Sequence, residues 1–406
     1  MKGLNVLKKL LLLCSVYCIS VLPADELSNI LSDNKNILFD YELQSNRAKS
    51  DMLENSWINP IMLQYSKNYS EQFGDKRVQT GSFTVGIDQP IFRSGGIYFA
   101  IKYAQAVRDG NDVSIRLQKR ETIANAVKLL FEMKKLKLQM QKLKLLIKND
   151  EIDIAQKKES YNAGLIDSSF LDQAILNKNK DETTLLQSEM SLANMEQKFS
   201  RLSDKNPYSL KLPKLKLISA QNYKGKNLEL VRDKLRAKEK GYNAKMTWAK
   251  YLPSISLKGR YTDEDINPLF ARPDSGLKEQ YFTYGFSISM PLNINMFSDI
   301  EASKVAHLKA QTEVLEREKS IDASYKMIQT QLKIIDKQIK LAKKDEKLYR
   351  RLYRNTKNLA KAGEKTKYDT QMMRHSMQIK ILEQKIYALD KQMTLLELYK
   401  KVSNAI

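Results

Sequence analysis

Four segments of about ten residues alternate apolar and polar positions with the period of two that β-strands show. They cover residues 61–71, 81–91, 252–262 and 280–291. Segments of this length match tilted membrane strands that turn an apolar face to lipid and a polar face to a lumen. We therefore predict four membrane β-strands, with a soluble sheet covered by helices as the alternative. Lys258 and Arg260 share the polar side of the third segment, so both are candidates for lining a pore.

Two much longer segments lack proline and carry apolar residues at spacings of three and four. They run from residue 94 to 162 and from 298 to 361, and about 65 helical residues would be roughly 100 Å long. The apolar seam of the first contains Leu129, Met133, Leu136, Met140, Leu143 and Ile147. The same spacing recurs at 192–202, 332–342 and 379–396, and a mean repeat of 3.5 predicts coiled-coil packing.

An Ala-Gly pair interrupts each long helical segment, at Gly164 and at Gly363. Glycine accepts the positive φ that ends many helices, so the chain is predicted to reverse at both positions into a second helix. Asp167 follows the first break and is predicted to cap the returning helix. Each break is therefore the tip of an antiparallel helical hairpin.

The order of these segments occurs twice along the chain, which predicts two structural repeats. The predicted organisation is a first repeat over 25–203 with its hairpin at 94–203 and tip at 164, a linker at 204–224, and a second repeat over 225–406 with its hairpin at 298–403 and tip at 363. The expected fold class is mostly α with a small β part, made of duplicated coiled-coil hairpins and four strands.

The first 24 residues have the composition of a secretory signal peptide. Three lysines precede an apolar run from Leu10 to Leu22, and a small residue, Ala24, follows. The run is short for a membrane-spanning helix, although an uncleaved anchor is the alternative. Both cysteines, Cys14 and Cys18, lie in this segment, and neither is preceded by the small residue of a lipoprotein signal. We expect an exported chain without disulfides or a lipid anchor.

The chain is strongly basic, with a formal net charge of +22. The charge is spread along the helices, including a basic stretch at 134–148 that we expect to face solvent or a protein partner. No zinc-ligand spacing or glycine-rich phosphate loop accompanies it, and an exported chain does not meet nucleic acid routinely. His307 and His375 are isolated, and the sequence shows no set of residues for nucleophilic catalysis. We therefore expect no enzyme, cofactor, metal or nucleic-acid partner.

A four-stranded sheet cannot lie in a bilayer alone, because unpaired backbone groups at its two edges cost several kcal/mol each in lipid. The smallest closed membrane barrels have eight strands, which two chains would supply. Eight strands are filled by their own side chains, whereas larger barrels leave a passage. A conduit therefore requires three or more chains.

Two local motifs, in the context of the duplicated plan, resemble the TolC family of outer-membrane efflux and secretion ducts. Residues 89–96, QPIFRSGG, are similar to the strand-to-helix junction of the family, and residues 161–166, YNAGLI, are similar to its hairpin tip. The resemblance covers essentially the whole mature chain. It implies a homotrimer with a 12-stranded barrel in outer-membrane lipid and an α-helical tunnel in the periplasm. It also implies two partners, a periplasmic adaptor and an inner-membrane RND or ABC transporter.

The resemblance further assigns roles to residues near the tips. Asp369 matches one of two acidic positions that constrict the lumen in the family, and Met372 occupies the other. Lys365 matches a basic residue that holds the family's gate shut, but Phe170 stands where its acidic partner would be. We therefore expect Lys365 to bridge to one of two nearby acids, Asp167 or Asp172. The expected adaptor contacts are at the tips, at Gly164, Leu165 and Gly363.

Three other classes of protein share some of these features. A structural coiled-coil protein without a channel has long helices and few cysteines, but it does not explain four amphipathic strands. A periplasmic adaptor has one hairpin between compact β-domains, whereas this chain has two hairpins. An enzyme would need a catalytic site that the sequence does not offer.

Overall fold

The computed structural model describes residues 30–73, 76–265, 276 and 278–403, without the side chains at positions 72, 73, 76 and 77. The predicted signal peptide, residues 1–24 with both cysteines, lies outside the described residues.

Seven helices and four strands follow one another in the described part of the chain. They are α1 (Asp33–Glu54), β1 (Met62–Phe73), β2 (Lys76–Phe92), α2 (Gly96–Asn162), α3 (Ser168–Ser200), α4 (Ala220–Gly225), α5 (Leu228–Ala249), β3 (Ser254–Glu264), β4 (Gln280–Ser289), α6 (Met296–Lys361) and α7 (Lys367–Tyr399). The predicted fold class, mostly α with a small β part, is confirmed. No helix in these ranges is both long and apolar enough to cross a membrane.

The two halves have matching elements. Helices α1 and α5 both have 22 residues, α2 and α6 have 67 and 66, and α3 and α7 both have 33. Each half therefore runs helix, strand, strand, very long helix, shorter helix. The short helix α4 lies outside this plan, in the segment between the halves.

The four strands form one antiparallel sheet in the order β1-β2-β3-β4. Strand β2 begins at Lys76 rather than at the predicted residue 81, because its pairing with β1 continues to the Phe73–Lys76 pair. Strand β3 begins at Ser254 rather than at 252. The N–H of Leu252 still bonds to the carbonyl of Ala249 at the end of α5, and the next residue is a proline, which has no N–H for the ladder.

The chain divides into two compact units. The sheet unit consists of residues 38–118 and 224–324, and it contains all four strands. The hairpin unit consists of the described parts of residues 1–37, 119–223 and 325–406, and it contains both helix reversals. Helices α2 and α6 each contribute residues to both units.

The hairpin unit has its own apolar core. Phe131, Met133, Phe199 and Leu398 are almost fully buried, and each such side chain contributes about 1.5–3 kcal/mol on burial. Six positions of the predicted heptad seams are also buried, and they are Ile147, Leu332, Ala342, Ile379, Ile386 and Leu396. The heptad spacing therefore identified core positions.

The linker between the halves has no regular secondary structure at residues 211–219 and is held by side chains of α7. The side-chain amide of Gln392 bonds to both backbone groups of Leu215, at 2.7 and 3.4 Å. The Tyr399 hydroxyl accepts from the N–H of Lys216 and donates to its carbonyl. Side chains thus supply the hydrogen bonds that a neighbouring strand would otherwise provide.

Candidate pore-lining face and hairpin tips

One face of the sheet in the sheet unit exposes large apolar side chains to solvent. Cross-strand pairs such as Leu63–Val85 and Tyr261–Phe282 lie on this apolar face. The exposed members are Leu63, Tyr65, Tyr69, Phe83, Ile87, Leu257, Phe282, Tyr284, Phe286 and Ile288, with Tyr284 88% exposed and Phe282 75% exposed. An apolar surface this large marks a membrane or protein contact rather than a face in water.

Both edges of this sheet lack a partner strand among the described residues. Strand β1 pairs only with β2, and β4 pairs only with β3. The outer edges therefore present unpaired N–H and C=O groups, which recruit a strand from another chain or must be shielded.

The opposite face of the sheet is polar. Along β3 it carries Ser254, Ser256, Lys258, Arg260, Thr262 and Glu264. Lys258 pairs in register with Asp88 of β2, and its ammonium lies 3.6 Å from that carboxylate. Arg260 pairs in register with Gly86, and its side chain lies over that glycine. The structure thus places both predicted pore-lining residues on the same polar face.

The first hairpin tip, between α2 and α3, ends α2 in a Schellman motif. The N–H of Leu165 bonds to the carbonyl of Ser160 at 2.9 Å, and the N–H of Gly164 bonds to that of Tyr161 at 2.9 Å. Gly164 has a φ of 72°, as the sequence predicted for a reversal. Asp167 then caps α3 by accepting from the N–H of Ser169, which confirms the predicted N-cap.

The second tip, between α6 and α7, repeats this geometry. The N–H of Glu364 bonds to the carbonyl of Leu359, and Gly363 has a φ of 83°. A capping box then starts α7, because Thr366 and Asp369 each accept a hydrogen bond from the backbone N–H of the other. The Thr-x-x-Asp spacing in the sequence is the signal of a capping box. The sequence-based prediction for Asp369 was a role in the lumen instead.

Two of the three acids assigned to the gate, Asp167 and Asp369, are engaged in helix caps. Hydrogen bonds from the backbone of Ser169 and of Thr366 lower the pKa of Asp167 and of Asp369, respectively. Both groups are therefore held as carboxylates. Among the described residues, no ion pair within 4 Å joins Lys365 to Asp167 or Asp172. The expected bridge is therefore not formed within one chain.

The two tips differ in the chemistry they expose. The first tip exposes apolar side chains, with Leu165 at 76% and Phe170 at 57%. The second tip has Glu364 and Asp369 at the equivalent positions, 199 residues further along. This contrast is visible in the sequence when the two halves are aligned on Gly164 and Gly363, although the sequence-based predictions do not include it.

The basic stretch of α2 is exposed at four of its six lysines, as expected, and the other two, Lys135 and Lys142, are paired within the chain. Lys135 lies 2.6 Å from Asp390, and Lys142 lies 2.7 Å from Glu383, both on α7. Burial disfavours the charged form of Glu383, but hydrogen bonds from Lys142 and Lys380 outweigh it and lower its pKa.

A third contact joins the same two helices, where His375 Nδ1 lies 2.8 Å from the Asn149 side-chain oxygen. No group of three or more metal-ligating side chains in the described ranges is arranged to hold a metal ion.

No protein-family model and no curated protein sequence matches the chain. Several solved structures share its fold. The outer membrane protein VceC of Vibrio cholerae superposes with a TM-score of 0.72 at 14% identity, covering 92% of this chain and 95% of VceC. The CmeC outer membrane channel of Campylobacter jejuni gives 0.73 at 13% identity, covering 93% and 85%. The MtrE outer membrane channel of Neisseria gonorrhoeae, in its open state, gives 0.67 at 14% identity, covering 93% and 87%. The chain therefore has a TolC-like fold, as its sequence resemblance predicted.

Proposed function

We propose that this chain is the outer-membrane exit duct of a tripartite efflux or type I secretion system, conducting substrate passively to the exterior. The observation that carries the proposal is the sheet, which has an exposed apolar face, a polar face and two unpaired edges. A bilayer covers the apolar face, and a lumen accommodates the polar face. The fold that the chain shares with outer membrane channels also supports the proposal of an exit duct.

The unpaired edges point to a homotrimer. Strand β1 of one chain would pair with β4 of the next, so that no backbone group is left unpaired in lipid. Three chains supply twelve strands, which is more than the eight that side chains fill. The helices would then continue the passage into the periplasm.

The partners follow from the position of such a duct. The hairpin tips would meet a periplasmic adaptor, with Gly164, Leu165 and Gly363 at the contact. An inner-membrane RND or ABC transporter would deliver the substrate. The exposed apolar residues of the first tip support a protein contact there, because side chains such as Leu165 gain free energy when a partner covers them.

We propose that Lys365 closes the periplasmic gate by pairing with Asp167 or Asp172 of a neighbouring chain, and that Asp369 contributes one carboxylate per chain to an acidic constriction. The lack of such a pair within one chain leaves the Lys365 ammonium available to another. Asp369 remains a carboxylate while it caps α7, because its pKa is lowered.

The alternative is a periplasmic or extracellular coiled-coil protein without a channel. The apolar face of the sheet disfavours it, because such a protein would leave side chains such as Tyr284 in water. A membrane separation followed by native mass spectrometry of the detergent-purified protein distinguishes the two. An outer-membrane fraction with a mass of three chains supports the duct. A monomer in the soluble fraction contradicts it, because four strands cannot close a barrel alone.

A further inference from the structure

The polar face of the sheet contains a cavity of about 490 Å³ around two cations of β3. Arg260 lies between Gly86 of β2 and Thr283 of β4, while Lys258 lies between Asp88 and Gly285. The two glycines stand on opposite sides of the cations, and no side chain rises from either position. The Arg260 side chain lies over Gly86, but a Cβ placed at Gly285 would meet no described atom within 4 Å. A ligand can therefore approach the cations and the sheet backbone closely at Gly285.

The charges around this cavity are only partly compensated. Lys258 has Asp88 at 3.6 Å. Arg260 has no carboxylate within 4 Å in the described part of the chain. The remaining acid on this face of β3, Glu264, accepts a hydrogen bond from the Tyr281 hydroxyl at 2.8 Å. Among the described residues no group accepts a hydrogen bond from the guanidinium of Arg260, which leaves its donors for a ligand.

Because β3 is an inner strand of the sheet, the association of chains does not change which strands flank Arg260. Strand β3 lies between β2 and β4, so both of its neighbours in the sheet belong to the same chain. Only β1 and β4 offer edges to another chain. A strand added at either edge does not come to lie next to Arg260.

We infer that this cavity, the anion cradle formed by Gly86, Asp88, Lys258, Arg260, Thr283 and Gly285, binds phosphate or carboxylate groups of molecules that pass through the duct. The inference rests on the proposed function, which makes this face the lumen. Arg260 supplies a planar fork that matches either group, Lys258 supplies a point charge, and Thr283 supplies a hydroxyl. Asp88 offsets part of the positive charge, which keeps binding weak enough for release.

The cradle is tested on the full-length trimer in a planar bilayer, with a KCl gradient to measure ion preference and inorganic pyrophosphate as the probe ligand. In the unmodified protein, pyrophosphate reduces the current. In Arg260→Gln the chloride-to-potassium permeability ratio falls about sevenfold, because losing one unit charge about 7 Å away in water disfavours chloride about threefold and favours potassium by about the same factor. The pyrophosphate concentration for half block rises about tenfold, because charge-assisted hydrogen bonds are lost.

Three further variants separate the cradle from general charge effects. Arg260→Lys keeps the ion preference but weakens the block, since the fork is lost. Asp88→Asn shifts both readouts in the opposite direction from Arg260→Gln. Lys67→Gln removes a cation from the opposite face of the sheet and leaves both readouts unchanged.

Two results overturn the inference, and they are distinguishable. If the unmodified channel conducts but neither readout changes in Arg260→Gln, the cradle does not exist while the duct stands. If the unmodified protein does not conduct at all, the proposed duct fails, and the cradle with it.

Discussion

Replacing Phe286 with arginine tests which face of the sheet meets lipid. Phe286 lies near the middle of β4 on the apolar face and is 71% exposed. Its exposed share of a side chain of roughly 200 Å² is about 140 Å², worth about 3.5 kcal/mol when lipid covers it. An arginine near the bilayer midplane costs about 2–4 kcal/mol more. The change therefore costs roughly 5.5–7.5 kcal/mol per chain, which is comparable to the whole stability of a marginally stable protein.

The adjacent residue provides the matched control. Ser287 lies on the polar face, where it pairs in register with Ser256. Ser287→Arg adds the same side chain one position further along, but places it in the lumen. We expect this variant to assemble to nearly the unmodified level.

The assay is the amount of urea-resistant, outer-membrane protein that runs as an oligomer on a gel before heating. We expect Phe286→Arg to lose nearly all of this band and Ser287→Arg to retain it. Equal retention of both variants would show that the apolar face does not meet lipid. Selective loss of Ser287→Arg would mean that the two faces are reversed.

Three other changes test local parts of the structure. Gly363→Ala should lower the free energy of unfolding by about 1–2 kcal/mol, because alanine is strained at a φ of 83°. Gly225→Ala is the control in urea unfolding. A Cβ added at Gly225 would meet no described atom within 4 Å, and the backbone there does not have a positive φ. Burial and two nearby cations lower the pKa of His375 below its ordinary value, so the unfolded chain binds more protons below about pH 6.5. Stability should therefore fall between pH 7 and 5, and a His375→Gln variant with the same pH dependence would contradict this. Lys365→Glu should raise single-channel conductance by releasing the gate, whereas Lys367→Glu should not. Unchanged conductance in Lys365→Glu would remove the proposed pairing.

Local sequence signals were enough to predict the four strands and the two hairpin tips, but not the start of β2, which depends on its pairing with β1. Alternation with a period of two identified all four strands, because one face of the sheet is apolar and the other polar. The tip glycines and the Asp167 cap depend on residues within one helical turn of each other, so their roles could be read directly. The capping box of Thr366 and Asp369 was equally local, but the family resemblance drew attention to another role for Asp369.

Contacts between distant segments were not accessible in the same way. The charges of Lys135 and Lys142 fit a solvated helix face, and only the packing of α2 on α7 reveals their partners, about 240 to 255 residues away. Gly86 beside Arg260 and Gly285 beside Lys258 belong to different strands, so their proximity depends on strand register. Register follows from pairing across the sheet rather than from any single segment.

The central claim is that several copies of this chain close one conducting barrel, and single-channel recording of the purified, unmodified protein tests it most directly. We expect discrete current steps of uniform size when the detergent-purified oligomer inserts into a planar bilayer. Protein that associates with the bilayer but produces no steps above the baseline would contradict the duct.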